Sequence, residues 1–422
     1  MNRELLKNVI FDQHEIIRQA AIVPRMYEFD SQADYVLTGL RRAGKSTLLY
    51  KICRDLTVGG ADWEQIIFVN FEDERLLEFT AADFNDLLLL QSELSERPGY
   101  YFLDEVQNVA GWEKFARRLA DMKERVYITG SNAQMLSREI ESTLGGRYLS
   151  KHISPYCFRE YLAAKRIDAG SRALASTKLT GKIIAGFKEY CTFGGFPEVL
   201  RYNVKREYLT SVYHKVVLGD ITARYKIRNE FAVRLLLKKT AETVCSEVSY
   251  SKLYHTLASV GLKISKDTVI DYLQYAISAY LIFPMYNYFA KLSEREGHPK
   301  YYFSDNGLLN ILLSDNSSAL LENLLAVELS RAFAEVYYLK SAKTGIDIDF
   351  YIPERQWAVQ AAYSVRGEAR KREISSLKKT AAEFPEVQRL FIVTWEEQEN
   401  IEAVRLPIEV VPAYRFLLDL YS

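Results

Sequence analysis

Eight consecutive residues, Gly39-Leu40-Arg41-Arg42-Ala43-Gly44-Lys45-Ser46, have the types and spacing of a phosphate-binding loop, GxxxxGK[ST]. Gly39 and Gly44 let the backbone turn so that successive N–H groups surround phosphate oxygens, and a helix starting near Lys45 aims its positive dipole end at the same anion. The Lys45 ammonium would reach the β- and γ-phosphates of a nucleotide, and the Ser46 hydroxyl would ligate Mg2+. Arg41, Arg42, Ala43 and Thr47 complete the expected nucleotide-binding set. The competing reading is a glycine turn that carries a Lys-Ser pair, and the flanks decide against it. Tyr35-Val36-Leu37-Thr38 reads as a short buried strand, and Thr47 to Ile52 opens a helix with apolar positions three and four apart.

A second chemical signal closes the run Tyr100-Tyr101-Phe102-Leu103-Asp104-Glu105. A buried strand that ends in adjacent carboxylates has the Walker B form: Asp104 would hold Mg2+ and Glu105 would polarise the attacking water. A strand ending in Asp-Glu is common by itself and becomes specific after a phosphate-binding strand and loop. Val126-Tyr127-Ile128-Thr129-Gly130 reads as a further strand that delivers Ser131-Asn132, either a turn or a pair that senses the γ-phosphate, and the preceding motifs favour Asn132 as sensor. Leu144-Gly145-Gly146-Arg147 sets one arginine on a glycine-flexible segment. Arg147 suits an arginine finger reaching a neighbouring subunit's site, which implies a homo-oligomer.

The elements that must position these groups are legible around them. Leu5 to Ala20 forms an amphipathic helix, and Ile66-Ile67-Phe68-Val69-Asn70-Phe71 reads as a buried strand that delivers Glu72-Asp73-Glu74, either a solvated acidic turn or a contact to the metal's water shell. At 422 residues, two to four domains are expected. Lys+Arg and Asp+Glu are equal at 55 each, so net charge points to neither a nucleic-acid nor a membrane partner. The four cysteines, Cys53, Cys157, Cys191 and Cys245, lack CxxC spacing and read as free thiols. Met1-Asn2-Arg3-Glu4 lacks a signal peptide's apolar core and no run approaches the roughly 20 apolar residues of a membrane span, so a cytoplasmic protein without membrane contact is expected.

Taken in order, the loop with paired Arg41-Arg42, Leu103-Asp104-Glu105-Val106-Gln107, Thr129-Gly130-Ser131-Asn132, Leu144-Gly145-Gly146-Arg147 and Ser154-Pro155-Tyr156-Cys157-Phe158-Arg159-Glu160-Tyr161 resemble a large family of bacterial and archaeal AAA+ ATPases. The resemblance covers essentially the whole chain, includes a C-terminal domain of unknown function, and points to the archaeal and STAND-like branch. It implies ATP and Mg2+ as cofactors. It also implies a helical lid over about 160–225, in which Phe193-Gly194-Gly195-Phe196-Pro197-Glu198 is similar to the motif that sets Pro197 against adenine; a helix-terminating turn is the alternative.

Residues of about 230 to 290 read as a winged helix: a helix from Ser251 to Leu257, a turn at Val260-Gly261-Leu262, a helix from Lys266 to Ala279 capped by Ser265, then strand-like Leu281-Ile282-Phe283 and Tyr286-Asn287-Tyr288. Lys266, Asp267, Asp271 and Gln274 on the second helix are weak material for phosphate neutralisation, so a protein partner competes equally with DNA.

The last segment resembles PD-(D/E)XK nucleases in layout, with Glu322-Asn323 and Glu328 on a helix, then the strand Ile346 to Ile352, then Trp357 to Ala362. Gln360-x-Ala362 lacks the lysine that such nucleases place there, so the expectation is a shell for recognition and assembly without cleavage chemistry. Arg366 to Glu373 begins a charged helix, read as a solvated face or a phosphate-binding patch, and Arg389 to Trp395 reads as a buried strand.

The expected fold is therefore α/β: a parallel-sheet P-loop NTPase (AAA+) core over 1–160, a helical lid over 161–228, a winged-helix domain over 229–292 and a PD-(D/E)XK-like α/β domain over 293–422. The expected function is an Mg2+-dependent ATPase that couples nucleotide state to rearrangement of its domains or partners. The alternatives are a low-turnover ATP/ADP switch or scaffold that recruits a protein, and an ATP-gated DNA-binding protein or nuclease.

Overall fold

The apolar runs beside the chemical motifs form β1 (Asp34–Thr38), β2 (Ile66–Asn70), β3 (Tyr100–Asp104) and β4 (Arg125–Thr129), and β5 (Tyr148–His152) joins them in one five-stranded sheet. They lie in the order β2-β3-β4-β1-β5 and every pairing is parallel. In this computed structural model the described residues are 1–130, 146–291, 297–313, 317–403 and 405–421, so Asn132, with Ser131, lies outside them.

Among the described residues, four helices accompany the sheet: α1 (Arg3–Gln19), α2 (Lys45–Val58), α3 (Phe84–Leu94) and α4 (Trp112–Asp121). Successive strand residues feed two cores. Tyr35, Leu37, Ile66, Phe68, Phe102 and Tyr127 pack with Leu48, Leu49 and Ile52 of α2. Val36, Ile67, Val69, Tyr101, Leu103, Val126 and Ile128 pack with Leu87 of α3 and Trp112 and Phe115 of α4. Burial on both faces is why these strands read as unbroken apolar runs rather than alternating ones. β5 escaped that reading because it is an edge strand whose Leu149, Ser150 and His152 are exposed. The other edge, β2, is covered by α1, and His14 Nε2 donates to the Ile66 carbonyl at 2.8 Å. A free sheet edge invites pairing with another chain, and this helix removes the invitation.

The chain forms two units, Met1–Ser154 with Ser278–Tyr280, and Pro155–Ile277 with Leu281–Ser422. The first holds the parallel sheet. In the second, helices occupy Phe158–Ala164, Ser171–Leu174, Thr177–Phe193 and Lys205–Lys215, followed by a π-helical stretch Val216–Ala223, in agreement with the helical pattern. Tyr250–Ser259 and Lys266–Ser278 are the two helices anticipated around Gly261, and β6 (Ile282–Met285) follows them. Its antiparallel partner is β7 (Lys300–Phe303), whereas Tyr286-Asn287-Tyr288 makes only an isolated bridge from Asn287 to Tyr338.

A six-stranded mixed sheet completes the second unit: β8 (Tyr337–Ser341), β9 (Ile346–Ile352), β10 (Trp357–Ala361), β11 (Arg389–Thr394), β12 (Glu399–Ile401) and β13 (Ile408–Pro412), in the order β12-β13-β11-β10-β9-β8. β10 and β11 run parallel, and the helix Gly367–Glu383 makes the crossover between them.

Candidate nucleotide site

The loop between β1 and α2 has the backbone of an anion cradle. Gly39 takes φ +138°, and a Cβ there would stand 2.1 Å from the Ile153 carbonyl oxygen, so only glycine fits. Arg42 at φ 64° and Gly44 at φ 97° also lie in the left-handed region. Gly44 is the N-cap of α2 and gives the first turn no side-chain cap, which leaves that turn's N–H groups for an anion. Lys45 is 4% exposed, and its ammonium donates to the carbonyls of Gly39 at 3.0 Å and Leu40 at 3.3 Å, folded back across the loop. Arg25, which carries no motif, donates to the Ala43 carbonyl at 3.1 Å and the Ser154 carbonyl at 2.6 Å and so braces the loop from behind. The Arg41 guanidinium pairs with Glu72 at 2.5 Å, and Asp73 caps its own 3-10 turn, so the acidic cluster after β2 is engaged locally.

The C-terminal ends of β3 and β4 complete the site. Asp104 is 1% exposed and accepts hydrogen bonds from the hydroxyls of Thr129 and Ser46. The Thr129 hydroxyl also accepts the Glu105 backbone N–H at 2.9 Å, so one side chain fixes both acids. Glu105 adopts a left-handed conformation, φ 52° and ψ 42°, unusual for a residue with a Cβ. Its carboxylate lies 3.9 Å from the Lys45 ammonium and accepts from the Gln107 amide at 2.6 Å. The structure thus brings Lys45, Ser46, Asp104 and Glu105 together.

This arrangement fits Mg2+ and nucleotide. Ser46, Asp104 and Thr129 offer only oxygen donors, and Mg2+ bound beside phosphates needs no more than one or two carboxylates from the protein. Among the described residues no group of three His, Cys, Asp or Glu could hold a metal without such help.

Burial first, then the neighbouring Glu105 charge, pushes the Asp104 carboxyl up to about 6 from the ordinary 3.8, against the hydroxyls and Lys45 that favour ionisation. A carboxyl raised in the folded state contributes stability that is complete below about pH 4 and lost as pH rises through about 6. The loss is of order 3 kcal/mol. Asp104→Asn therefore resists urea better than the parent chain at pH 8 without nucleotide, and the advantage disappears at pH 4.

Other expected site residues are placed elsewhere. Arg147 precedes β5, whose first residue pairs with Asp34 at the start of β1, so it stands at the sheet edge opposite the phosphate loop, where it donates to Asp121 at 2.8 Å. Pro197 belongs to the second unit and starts a 3-10 turn, Pro197–Arg201. The glycines before it have reasons inside that unit. A Cβ on Gly195 would stand 2.1 Å from the Tyr156 carbonyl oxygen, and the Gly195 N–H donates to the buried Asp305 carboxylate at 2.7 Å. Burial outweighs the backbone donors around Asp305 and pushes its carboxyl up to about 6.

The second unit gathers its acids as the strand pattern implied, with an addition. Glu322, on the helix Ser317–Ala332, and Asp349, on β9, both face the Lys300 ammonium, at 3.4 and 3.2 Å. Gln360 of β10 accepts the Asp349 N–H and donates to Glu373. Burial alone would lower the Lys300 pKa, but Asp349 and Glu322 together raise it. Ala362 does leave the usual lysine position empty of an amine, yet β7 delivers one from another direction. Glu328 takes no part in this group; it accepts from the Phe158 N–H and the hydroxyls of Tyr190 and Tyr421.

Among the described residues no helix is long and apolar enough to cross a membrane. Residues 32–162 match the family described as AAA domain, and residues 184–319 match a domain of unknown function (DUF8612). An uncharacterized protein of Methanocaldococcus jannaschii is 31% identical over 98% of this chain and 95% of its own length. One of Haemophilus influenzae is 29% identical over 85% of this chain and 93% of its own. Among solved structures, a Walker-type ATPase of Pyrococcus abyssi matches 70% of this chain and 99% of its own at 16% identity and TM-score 0.44. The Aeropyrum pernix ORC1 protein in complex with DNA matches 78% and 93% at 12% and TM-score 0.25; at such scores neither enters the argument. With the phosphate loop, the Walker B acids and a parallel sheet in place, the chain belongs, together with its M. jannaschii relative, to a bacterial and archaeal family of AAA-domain P-loop ATPases.

Proposed function

We propose that this protein hydrolyses ATP with Mg2+ and uses the change of nucleotide state to rearrange its domains or a bound partner. The observation that carries the reading is the convergence of Lys45, Ser46, Asp104 and Glu105 at the C-terminal ends of β1 and β3. Ser46 and Asp104 would hold Mg2+, which supplies charge neutralisation across the β- and γ-phosphates. Lys45 would exchange its two loop carbonyls for phosphate oxygens. Glu105 would accept a proton from water.

The four-part division of the chain, with lid, winged helix and nuclease-like shell following the ATPase core, belongs to this proposal. Lys300 supports the shell reading, because an ammonium between Glu322 and Asp349 satisfies the charges that a metal would otherwise answer. A role for Arg147 at a γ-phosphate requires a second copy, since its own loop lies at the other end of the strands. The mass of the assembly with nucleotide bound tests that requirement.

Lys45→Ala weakens ATP binding about 10- to 100-fold, as read by calorimetry, and abolishes phosphate release at ATP levels that saturate the parent chain. Phosphate release that persists in this variant would sink the assignment of the site.

A further inference from the structure

The two oxygens of the Glu105 carboxylate have different neighbours. Oε1 lies 3.9 Å from the Lys45 ammonium, on the side where phosphate would sit. Oε2 accepts from Gln107 Nε2 at 2.6 Å. Gln107 is in the 3-10 turn Val106–Asn108 directly after the left-handed Glu105, and the Asn108 N–H closes that turn onto the Glu105 carbonyl at 3.2 Å. Carboxylate and amide are thereby fixed two residues apart on rigid backbone.

The other end of that amide is unusual. Gln107 Oε1 is buried and has no hydrogen-bond partner among the described residues. Its nitrogen must donate to a carboxylate, which leaves the oxygen as an acceptor. A buried acceptor without a partner among the described residues needs a donor, and an ordered water is one that can serve. A water that bridges these two groups would donate one hydrogen to the Glu105 carboxylate and the other to Gln107 Oε1.

We propose that Gln107 is a positioning residue for the attacking water, and this rests on the hydrolysis reading above. Its N–H fixes Glu105, and its carbonyl accepts the second water hydrogen, so that the water's free lone pair is directed rather than tumbling. In the step itself the water oxygen bonds to the γ-phosphorus and the bond from that phosphorus to the bridging oxygen of ADP breaks. ADP leaves with the electron pair, and Glu105 takes the proton. Gln107 neither gains nor loses one.

The test uses the full chain with ATP and Mg2+ and compares the parent with Gln107→Leu, Gln107→Glu and the double variant Glu105→Gln/Gln107→Leu. The expected result is a kcat about 10- to 100-fold lower for Gln107→Leu, with KM for ATP within about twofold. Gln107→Glu, which sets a second carboxylate against Glu105, is also slow. The double variant is no slower than Glu105→Gln alone, because the amide acts only through water held for that base. A side chain that merely supported the fold would move KM and the melting temperature and would add its loss to that of Glu105→Gln. Full kcat in Gln107→Leu, or additive losses in the double variant, overturns this inference alone. A parent chain that releases no phosphate overturns the hydrolysis reading and this inference with it.

Discussion

Glu105→Gln retains ATP binding within about twofold and loses turnover by about 10²- to 10⁴-fold. The substitution is nearly isosteric, and a glutamine carbonyl can still accept the Gln107 amide that Glu105 accepts at 2.6 Å. The backbone anchor, the Glu105 N–H to the Thr129 hydroxyl, involves no side-chain atom of Glu105 and is unaffected. What disappears is the proton acceptor beside the Lys45 ammonium. Calorimetric ATP binding and single-turnover phosphate release separate the two quantities. Equal turnover in the variant and the parent would refute the role of Glu105.

Lys300→Met costs about 3–5 kcal/mol of stability at neutral pH, the range for breaking a buried ion pair by removing one partner. Methionine fills much of the lysine volume, so the cost comes from charge. Glu322 and Asp349, each within 3.4 Å of the lost ammonium, then face one another without a cation. Burial and the Asp349 charge already hold the Glu322 carboxyl above its usual range even with Lys300 present. The variant therefore regains stability as pH falls and one acid takes up a proton, the sign expected for a carboxyl raised in the folded state. Adding Glu322→Gln restores much of the loss at pH 7, because it removes one of the two repelling charges. Urea unfolding of the single and double variants between pH 5 and 8 reads all three statements.

Much of the ATPase unit was legible because its information is local. The strands β1 to β4 are short apolar runs, β1 leads into the loop that Gly39 and Gly44 announce, and β3 ends on Asp104. Lys45, Ser46, Asp104 and Glu105 followed from type and spacing, and the structure gathers them. The residues that hold them were not legible. Thr129 enters the sequence reading as a strand residue and as part of Thr129-Gly130-Ser131-Asn132, but not as the hydroxyl that holds both acids. Arg25 belongs to no motif and Gln107 only closes Leu103-Asp104-Glu105-Val106-Gln107, and their roles depend on carbonyls and carboxylates reached through the fold. Lys300 shows the limit most plainly. The nuclease pattern asks for a lysine two residues after Gln360, but electrostatics asks only that an ammonium arrive at Asp349, and it arrives from β7. The edge strand β5 was missed for the opposite reason, since a strand with exposed side chains writes no apolar pattern.

The membership of Ser278–Tyr280 in the first unit has a consequence for how the protein is made. The Tyr280 ring packs tilted against His152 at a centroid distance of 4.8 Å and its hydroxyl hydrogen-bonds Thr38, the last residue before the phosphate loop. A ribosome that has finished residue 154 has delivered every strand of the parallel sheet, but it must add over a hundred more residues before this tyrosine emerges. At ordinary elongation rates that interval is several seconds or more. Until that much later stretch of the message has been read, the nascent ATPase unit lacks the tyrosine that closes on the residue before its loop.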